Sequence, residues 1–404
     1  MKTAYVVIGA GFGDEGKGLI TDYLTRRSGG RAVARFNGGA QAGHTVQLPN
    51  GVRHVFGHYA SGTLANANTI LSNKFIVNPF LLKKEHDALA KITKGRTQVA
   101  AMAGARVTTF YDMVLNQLKE RARGNDRHGS CGCGINETVT RHEELPLRVG
   151  DQVSEFYAVH KAMAVKLHNY VEANNLDWQA LVRENGSLEL DPITHAWSAY
   201  STIQDLIVKV SDRPAHHLVP SVFEGAQGLM LDEHLGAFPH VTRSMTGLPQ
   251  AVAAAMDMGV DHLIPVYVTR AYSTRHGAGL FKYEDQPISD GFVFVDPTNV
   301  DNEWQGSIRK APLRLGQLQH FIGSDLVRGE RIAEACGVTL GKAQLAVTCL
   351  DQLGPNVNVI DMFGEVLDIK TETLHNVIAT VCALEPFLLS YGPTNQDVRV
   401  APRV

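Results

Sequence analysis

Cysteine is scarce in this 404-residue chain: Cys131, Cys133, Cys336, Cys349 and Cys382 are an odd number with no framework spacing. That usage excludes a disulfide scaffold and points to a reducing compartment, the cytoplasm. Long apolar runs are missing too. The N-terminal one is broken at Asp14 and Glu15, so no secretory signal is expected, and no later stretch is long enough to span a bilayer. Neither sign of charge is in excess. A net charge of −3 gives no reason to expect DNA, RNA or an acidic membrane as a partner. Internal repeats, low-complexity tracts and evident linkers are also lacking, and the length suits one large α/β domain or two ordinary ones.

What is present is the composition of a soluble globular protein, 44% hydrophobic and 20% charged. Strand-like runs at 4–9, 32–36, 98–102, 218–223, 263–269 and 345–349 alternate with helical patterns near 78–93, 109–122, 153–173, 247–258, 315–335 and 371–383. The alternation predicts an α/β fold, a large and mainly parallel sheet with helices on both faces. Segment 174–215, with Trp178, Trp197 and several polar breaks, reads as an inserted helical excursion.

The stretch Gly11-Phe-Gly-Asp-Glu-Gly-Lys-Gly18 follows the first strand and precedes a helical pattern over Leu19 to Arg26. A strand, a glycine-rich turn and a helix N-terminus form a nest of backbone N–H groups aimed at an anion. Lys17 can follow the negative charge. The spacing is close to a Walker A loop, but Gly18 stands where Ser or Thr would supply the Mg²⁺ hydroxyl. Asp14 offers a replacement: a carboxylate among phosphates needs a metal or a proton between them, which makes it a candidate catalytic or metal residue. The same residues fit the dinucleotide fingerprint Gly-x-Gly-x-x-Gly. Yet the second strand ends in Asn37-Gly-Gly, with no acid to hold a ribose, so phosphate handling is the better reading.

Next comes Asn37-Gly-Gly-Ala-Gln-Ala-Gly-His-Thr45, where glycine turns bracket Gln41 and place His44 at a ligand's edge. Taken alone, His44 reads equally as a structural residue and as a catalytic one. Later stretches are Leu147-Arg-Val-Gly-Asp151, Phe223-Glu-Gly-Ala-Gln-Gly228, Phe238-Pro-His-Val-Thr242, Ala271-Tyr-Ser-Thr-Arg-His-Gly-Ala-Gly279, Leu350-Asp351 and Gly392-Pro393. In this order the motifs resemble the adenylosuccinate synthetase family, which joins aspartate to C6 of a purine nucleotide using GTP. The resemblance runs from the first strand almost to the C-terminus and implies one domain over 1–404, working as a homodimer.

It also implies site residues. Asp14 and His44 match the family's catalytic pair, with Lys17 and the loop residues Gly13, Glu15, Gly16 and Gly18 on the phosphates of GTP. Mg²⁺ is expected on Asp14 and a loop carbonyl at Gly43. The purine nucleoside monophosphate falls to Gln41, Gln227, Thr242, His276, Ser130 and Cys131, with Arg141 resembling an arginine that crosses to the partner's phosphate. L-aspartate falls to Ser307, Arg309 and Arg314. Asp351 suits guanine because a carboxylate accepts from both N1–H and the 2-amino group, and Ser390 and Gly392 are the expected opposite wall.

Departures narrow the reading. His128-Gly-Ser-Cys-Gly-Cys-Gly134 tempts a metal assignment, but Cys-x-Cys is not the spacing of a zinc knuckle, and the stretch aligns with a phosphate loop of the family. Gln305-Gly-Ser-Ile-Arg-Lys-Ala-Pro-Leu-Arg314 keeps three cations of the family's arginine-rich loop. Two alternatives stand beside IMP as substrate: the same chemistry on dGMP, as in phage-type paralogues, and a GTP-binding regulatory protein. The last would need neither Asp14 beside the phosphates nor His44.

Overall fold

Val6, Val7 and Ile8 are wholly buried because the strand they form, β1 (Thr3–Gly9), lies in the middle of a sheet covered on both faces. This computed structural model describes residues 2–95, 97–124, 129–210, 218–298 and 306–402. In chain order, β1 is followed by α1 (Lys17–Ser28), β2 (Ala32–Arg35), β3 (Asn68–Leu71), α2 (Pro79–Thr93), β4 (Val99–Met102), α3 (Phe110–Ala122) and α4 (Ile135–Glu144). Then come α5 (Val153–Ala173), α6 (Trp178–Glu184), α7 (Pro192–Leu206), β5 (Ile207–Val210), β6 (Val222–Gly228), α8 (Leu248–Asp257) and β7 (His262–Arg270). The last elements are α9 (Leu315–Cys336), β8 (Thr339–Leu340), β9 (Gln344–Thr348), α10 (Leu374–Cys382), β10 (Glu385–Ser390) and β11 (Val398–Val400).

These strands form one sheet in the order β11-β10-β9-β7-β1-β6-β2-β3-β4-β5, with β8 also beside β7. Every pair is parallel except β10 with β11. Parallel neighbours require crossover connections, and the crossover helices bury both faces. One cluster packs Leu248, Leu318, Ile322 and Ile378 of α8, α9 and α10 on the sheet, and another gathers Leu115, Phe156, Ala196 and Ile203 of α3, α5 and α7. The fold is the α/β sheet expected from the alternation.

Boundaries match where periodicity is long: α5 spans the expected 153–173, and Thr109 opens α3 with a capping box to Asp112. The run at 218–223 was placed too early. The strand starts at Val222 and continues through Glu-Gly-Ala-Gln to Gly228. It is accommodated by a register shift against β1 between Val7 and Gly9. The 174–215 excursion carries α6 and α7 but ends in β5, the edge strand on β4, and residues 211–215 lie outside the described residues.

Candidate active site

In an open parallel sheet, ligands collect beyond the C-terminal ends of the strands, where successive loops diverge. Here β7, β1, β6 and β2 are neighbours, and the loops after them line one cavity of about 670 Å³. Gly13, Asp14, Gly16, Lys17 and Gly18 come from the loop after β1. Gln41, Gly43 and His44 follow β2, while Gln227 and Thr242 come from the end of β6 and beyond. His276 follows β7, and Ser130 and Cys131 come from the loop before α4.

Glu15 is not in the cavity lining but beneath it. Its carboxylate accepts from Gly11 N at 3.0 Å and Gly13 N at 2.7 Å, and pairs with Lys17 Nζ at 2.6 Å, both side chains being buried. Gly16 caps α1 at φ 87°, and Thr348 Oγ1 at the end of β9 donates to Glu15 O at 2.7 Å. Gly18 has a steric cause: a Cβ there would lie 2.8 Å from Thr45 O and 3.2 Å from His44 C. The missing hydroxyl of the ordinary loop is thus the condition for packing α1 against the hairpin His44–Gln47/Arg53–Phe56.

That hairpin presents His44. Its Nδ1 stands 2.6 Å from Glu224 Oε1, and Glu224 also accepts from Ser61 N at 3.0 Å and from the Ser61 hydroxyl. Burial pushes the His44 imidazole down to about 4, more than the Glu224 charge restores. Burial alone would push Glu224 up, but His44 and Arg35 hold it well below the usual carboxylate range. His44 is therefore neutral near pH 7, with Nδ1–H given to Glu224 and Nε2 left for the cavity. Asn37 fixes the loop before it, accepting from Ala226 N at 2.7 Å and donating to Ala226 O and Met245 O.

Asp14 adopts φ 62°, and its carbonyl accepts from Arg270 Nε at 2.5 Å. The rest of that guanidinium bonds Asp296 and the Tyr272 hydroxyl. Burial raises the Asp14 pKa against the opposing charges of Arg270, His276 and Lys17. His276 Nε2 is 3.8 Å from Asp14 Oδ2. Arg270, Asp296 and Thr298 line the cavity without having been singled out from sequence. Arg270 follows directly on the strand-like run 263–269 and is the last residue of β7. Asp296 and Thr298 sit in an irregular segment with no local signal, joined to the hairpin by Thr298 Oγ1 and Thr45 Oγ1 at 2.8 Å.

Ser130 Oγ donates to Asn116 Oδ1 at 2.7 Å, and the Cys133 thiol donates to Cys131 O at 3.8 Å. All five cysteines are free, and no cluster of three or more His, Cys, Asp or Glu suited to a metal occurs among the described residues. His128 and Gln305, which open the two departing loops, lie outside the described residues.

Several expected residues are elsewhere. Arg141 is buried: it donates to Asp112 at 3.1 and 3.2 Å, to Leu145 O at 2.7 Å and to Val107 O at 2.6 Å. Its guanidinium is held by groups of its own subunit. Arg309 donates to Gly277 O and Gly279 O at 2.9 Å and to Glu284 at 3.0 Å, so it shapes the loop carrying His276 and does not line the cavity. Arg314 donates to Gln317 and covers Tyr283, and Ser307 is exposed. Asp351, Ser390 and Gly392 also lie outside the cavity lining. Asp351 is exposed three residues beyond Thr348, the contact to the phosphate loop, while Ser390 Oγ donates to Gly392 O at 2.7 Å.

Comparisons with known proteins bear on the fold and the family. An adenylosuccinate synthetase of Clostridium perfringens is 31% identical over 367 residues, 87% of this chain and 78% of its own. The fully ligated adenylosuccinate synthetase structure from Plasmodium falciparum superposes with TM-score 0.69 at 18% identity, covering 99% of this chain and 100% of its own. The succinoaminodeoxyadenylate synthetase (PurZ) of cyanophage S-2L, bound to dGMP and to dATP as an energy donor, gives TM-score 0.63 at 16% identity, covering 100% and 96%. These two likenesses concern the fold. A profile described as adenylosuccinate synthetase matches residues 6–322, from β1 into α9, and with the bacterial relative it establishes that this chain belongs to the adenylosuccinate synthetase family.

Proposed function

We propose that this ligase condenses L-aspartate with C6 of a 6-oxopurine nucleoside monophosphate, IMP to adenylosuccinate, with GTP as phosphate donor. The observation that carries the reading is the convergence of Asp14, His44 and the phosphate loop on one cavity. A C6 carbonyl oxygen is a poor leaving group. Asp14, made more basic by burial, takes the N1 proton, charge moves to O6, and O6 attacks the γ-phosphorus as the bond to the β-phosphate oxygen breaks. The aspartate amine then adds to C6 and phosphate leaves. His44 has its Nδ1 committed to Glu224 and is left with Nε2 for the O6 side of the purine.

Lys17 and the loop amides are assigned to the donor phosphates, Gln41, Gln227, Thr242, Ser130 and Cys131 to the nucleotide, and Asp351 to the guanine of GTP. Gln41 supports this: both its amide atoms are buried in the cavity wall without a hydrogen-bond partner among the described residues. Asp14 and the Gly43 carbonyl are hard oxygen donors on the same cavity and suit Mg²⁺, which when bound neutralises phosphate charge. Free cysteines fit a cytoplasmic setting, and a homodimer is the assembly implied by the family.

A second reading is dGMP as acceptor, the nucleotide bound in the cyanophage structure of the same fold. The test is GTP consumption with product mass. Turnover that needs purine nucleotide and aspartate together supports the ligase, whereas GTP hydrolysis indifferent to both supports a regulatory protein.

A further inference from the structure

Both ring nitrogens of His276 are buried and lack a hydrogen-bond partner among the described residues, although the side chain is only 12% exposed and lines the cavity. Burying two unpaired polar atoms is costly unless a ligand completes them. The sheet order indicates which part of a ligand does so. Asp14 follows β1, His276 follows β7 on one side of it, and His44 is held by Glu224 of β6 on the other. Along a 6-oxopurine edge the atoms run C6, N1, C2. With O6 at His44 and N1 at Asp14, as proposed above, position 2 falls at His276.

We infer that His276 reads the substituent at purine C2 and lets the site take a 2-amino-6-oxopurine nucleotide. An imidazole nitrogen lone pair accepts from an exocyclic 2-amino group, while a C2–H offers it nothing. Asp14 Oδ2 and His276 Nε2, 3.8 Å apart, form two acceptors for two adjacent N–H donors, N1–H and the 2-amino group. A hypoxanthine nucleotide binds the same site with the imidazole left unpaired.

The inference rests on the ligase reading, and the experiment separates the two. Rates of succinylated product formation are measured with aspartate and GTP for two pairs matched in sugar, IMP with GMP and dIMP with dGMP. The wild type is expected to succinylate the guanine member of at least one pair. His276→Leu should lower kcat/KM for that guanine nucleotide by about a hundredfold and for its hypoxanthine counterpart by about tenfold or less. His276→Gln, which restores an acceptor, should keep the guanine-to-hypoxanthine ratio within about threefold of wild type. Equal losses on both bases in His276→Leu would reduce His276 to a charge beside Asp14 and overturn the inference. So would a wild type that succinylates hypoxanthine nucleotides alone, leaving the ligase reading intact. No succinylated product from any of the four would overturn both.

Discussion

Glu224 Oε1 and His44 Nδ1 lie 2.6 Å apart with Glu224 wholly buried and His44 only 7% exposed. Behind them, Arg35 Nε stands 3.9 Å from Glu224 Oε2 while its Nη1 donates to Gly57 O and Tyr59 O. Replacing Glu224 by Gln removes the charge that fixes the His44 tautomer and takes from the buried Arg35 the nearer of the carboxylates that face it. Turnover should fall by about ten- to a hundredfold with a changed pH profile, and stability by about 3–5 kcal/mol. Denaturant melts beside kcat against pH would detect both, and an unaltered profile would detach Glu224 from the reaction.

Asp14→Asn keeps the shape of the loop but not its base. Turnover should drop at least about a hundredfold at unchanged melting temperature. Near-normal rates would remove Asp14 from the chemistry.

Gly18→Ser restores the residue that an ordinary phosphate loop carries, and it should harm this one. The new Cβ would meet Thr45 O at 2.8 Å, pushing the His44 hairpin away from α1. A stability loss of about 1–3 kcal/mol and a lower kcat are expected. Improved activity would show that the hydroxyl was the limiting feature.

Arg141→Leu should lower the melting temperature, because it leaves Asp112 a buried carboxylate without its guanidinium partner. Hybrid assemblies with an Asp14→Asn chain should show no complementation. Rescue there would return Arg141 to the neighbouring subunit's site.

Asp325 caps α8 by accepting from Leu248 N at 3.0 Å and takes the Tyr267 hydroxyl at 2.8 Å. Burial chiefly raises its carboxyl from 3.8 to about 7, with Asp232 adding to the shift and Arg328 opposing it. A raised folded-state pKa stabilises the protein fully below about pH 4, and the contribution is lost as pH rises through about 7. Relative to Asp325→Asn, the wild type should lose stability between those limits at up to about 1.4 kcal/mol per pH unit. A difference that is flat with pH would refute the shift.

Long periodic elements were legible because burial repeats at the helical or strand spacing over many residues, as in α5. The short strands β3, β5 and β10 were not. Four to six residues carry little period, and their identity comes from partners far along the chain. Within the site, glycine-rich loops announced themselves by composition, and thirteen of the expected residues came together on the cavity. For Arg141 and Arg309 the sequence leaves the contacts open: a guanidinium looks the same whether it awaits an anion or closes on main-chain carbonyls, as both do here. Asp296 was invisible because its place beside Arg270 depends on a loop returning over the sheet.

Glu15 changes what it means for the phosphate loop to bind an anion. Its carboxylate already sits on the Gly11 and Gly13 amides and on Lys17. A phosphate that uses those donors does so by exchange, one anion traded for another, and the net gain is the difference between them. A lone phosphate offers little beyond what the carboxylate gives, whereas a triphosphate brings several oxygens and can win the competition. On the function proposed for this loop, discrimination for chain length begins before any base or sugar is touched.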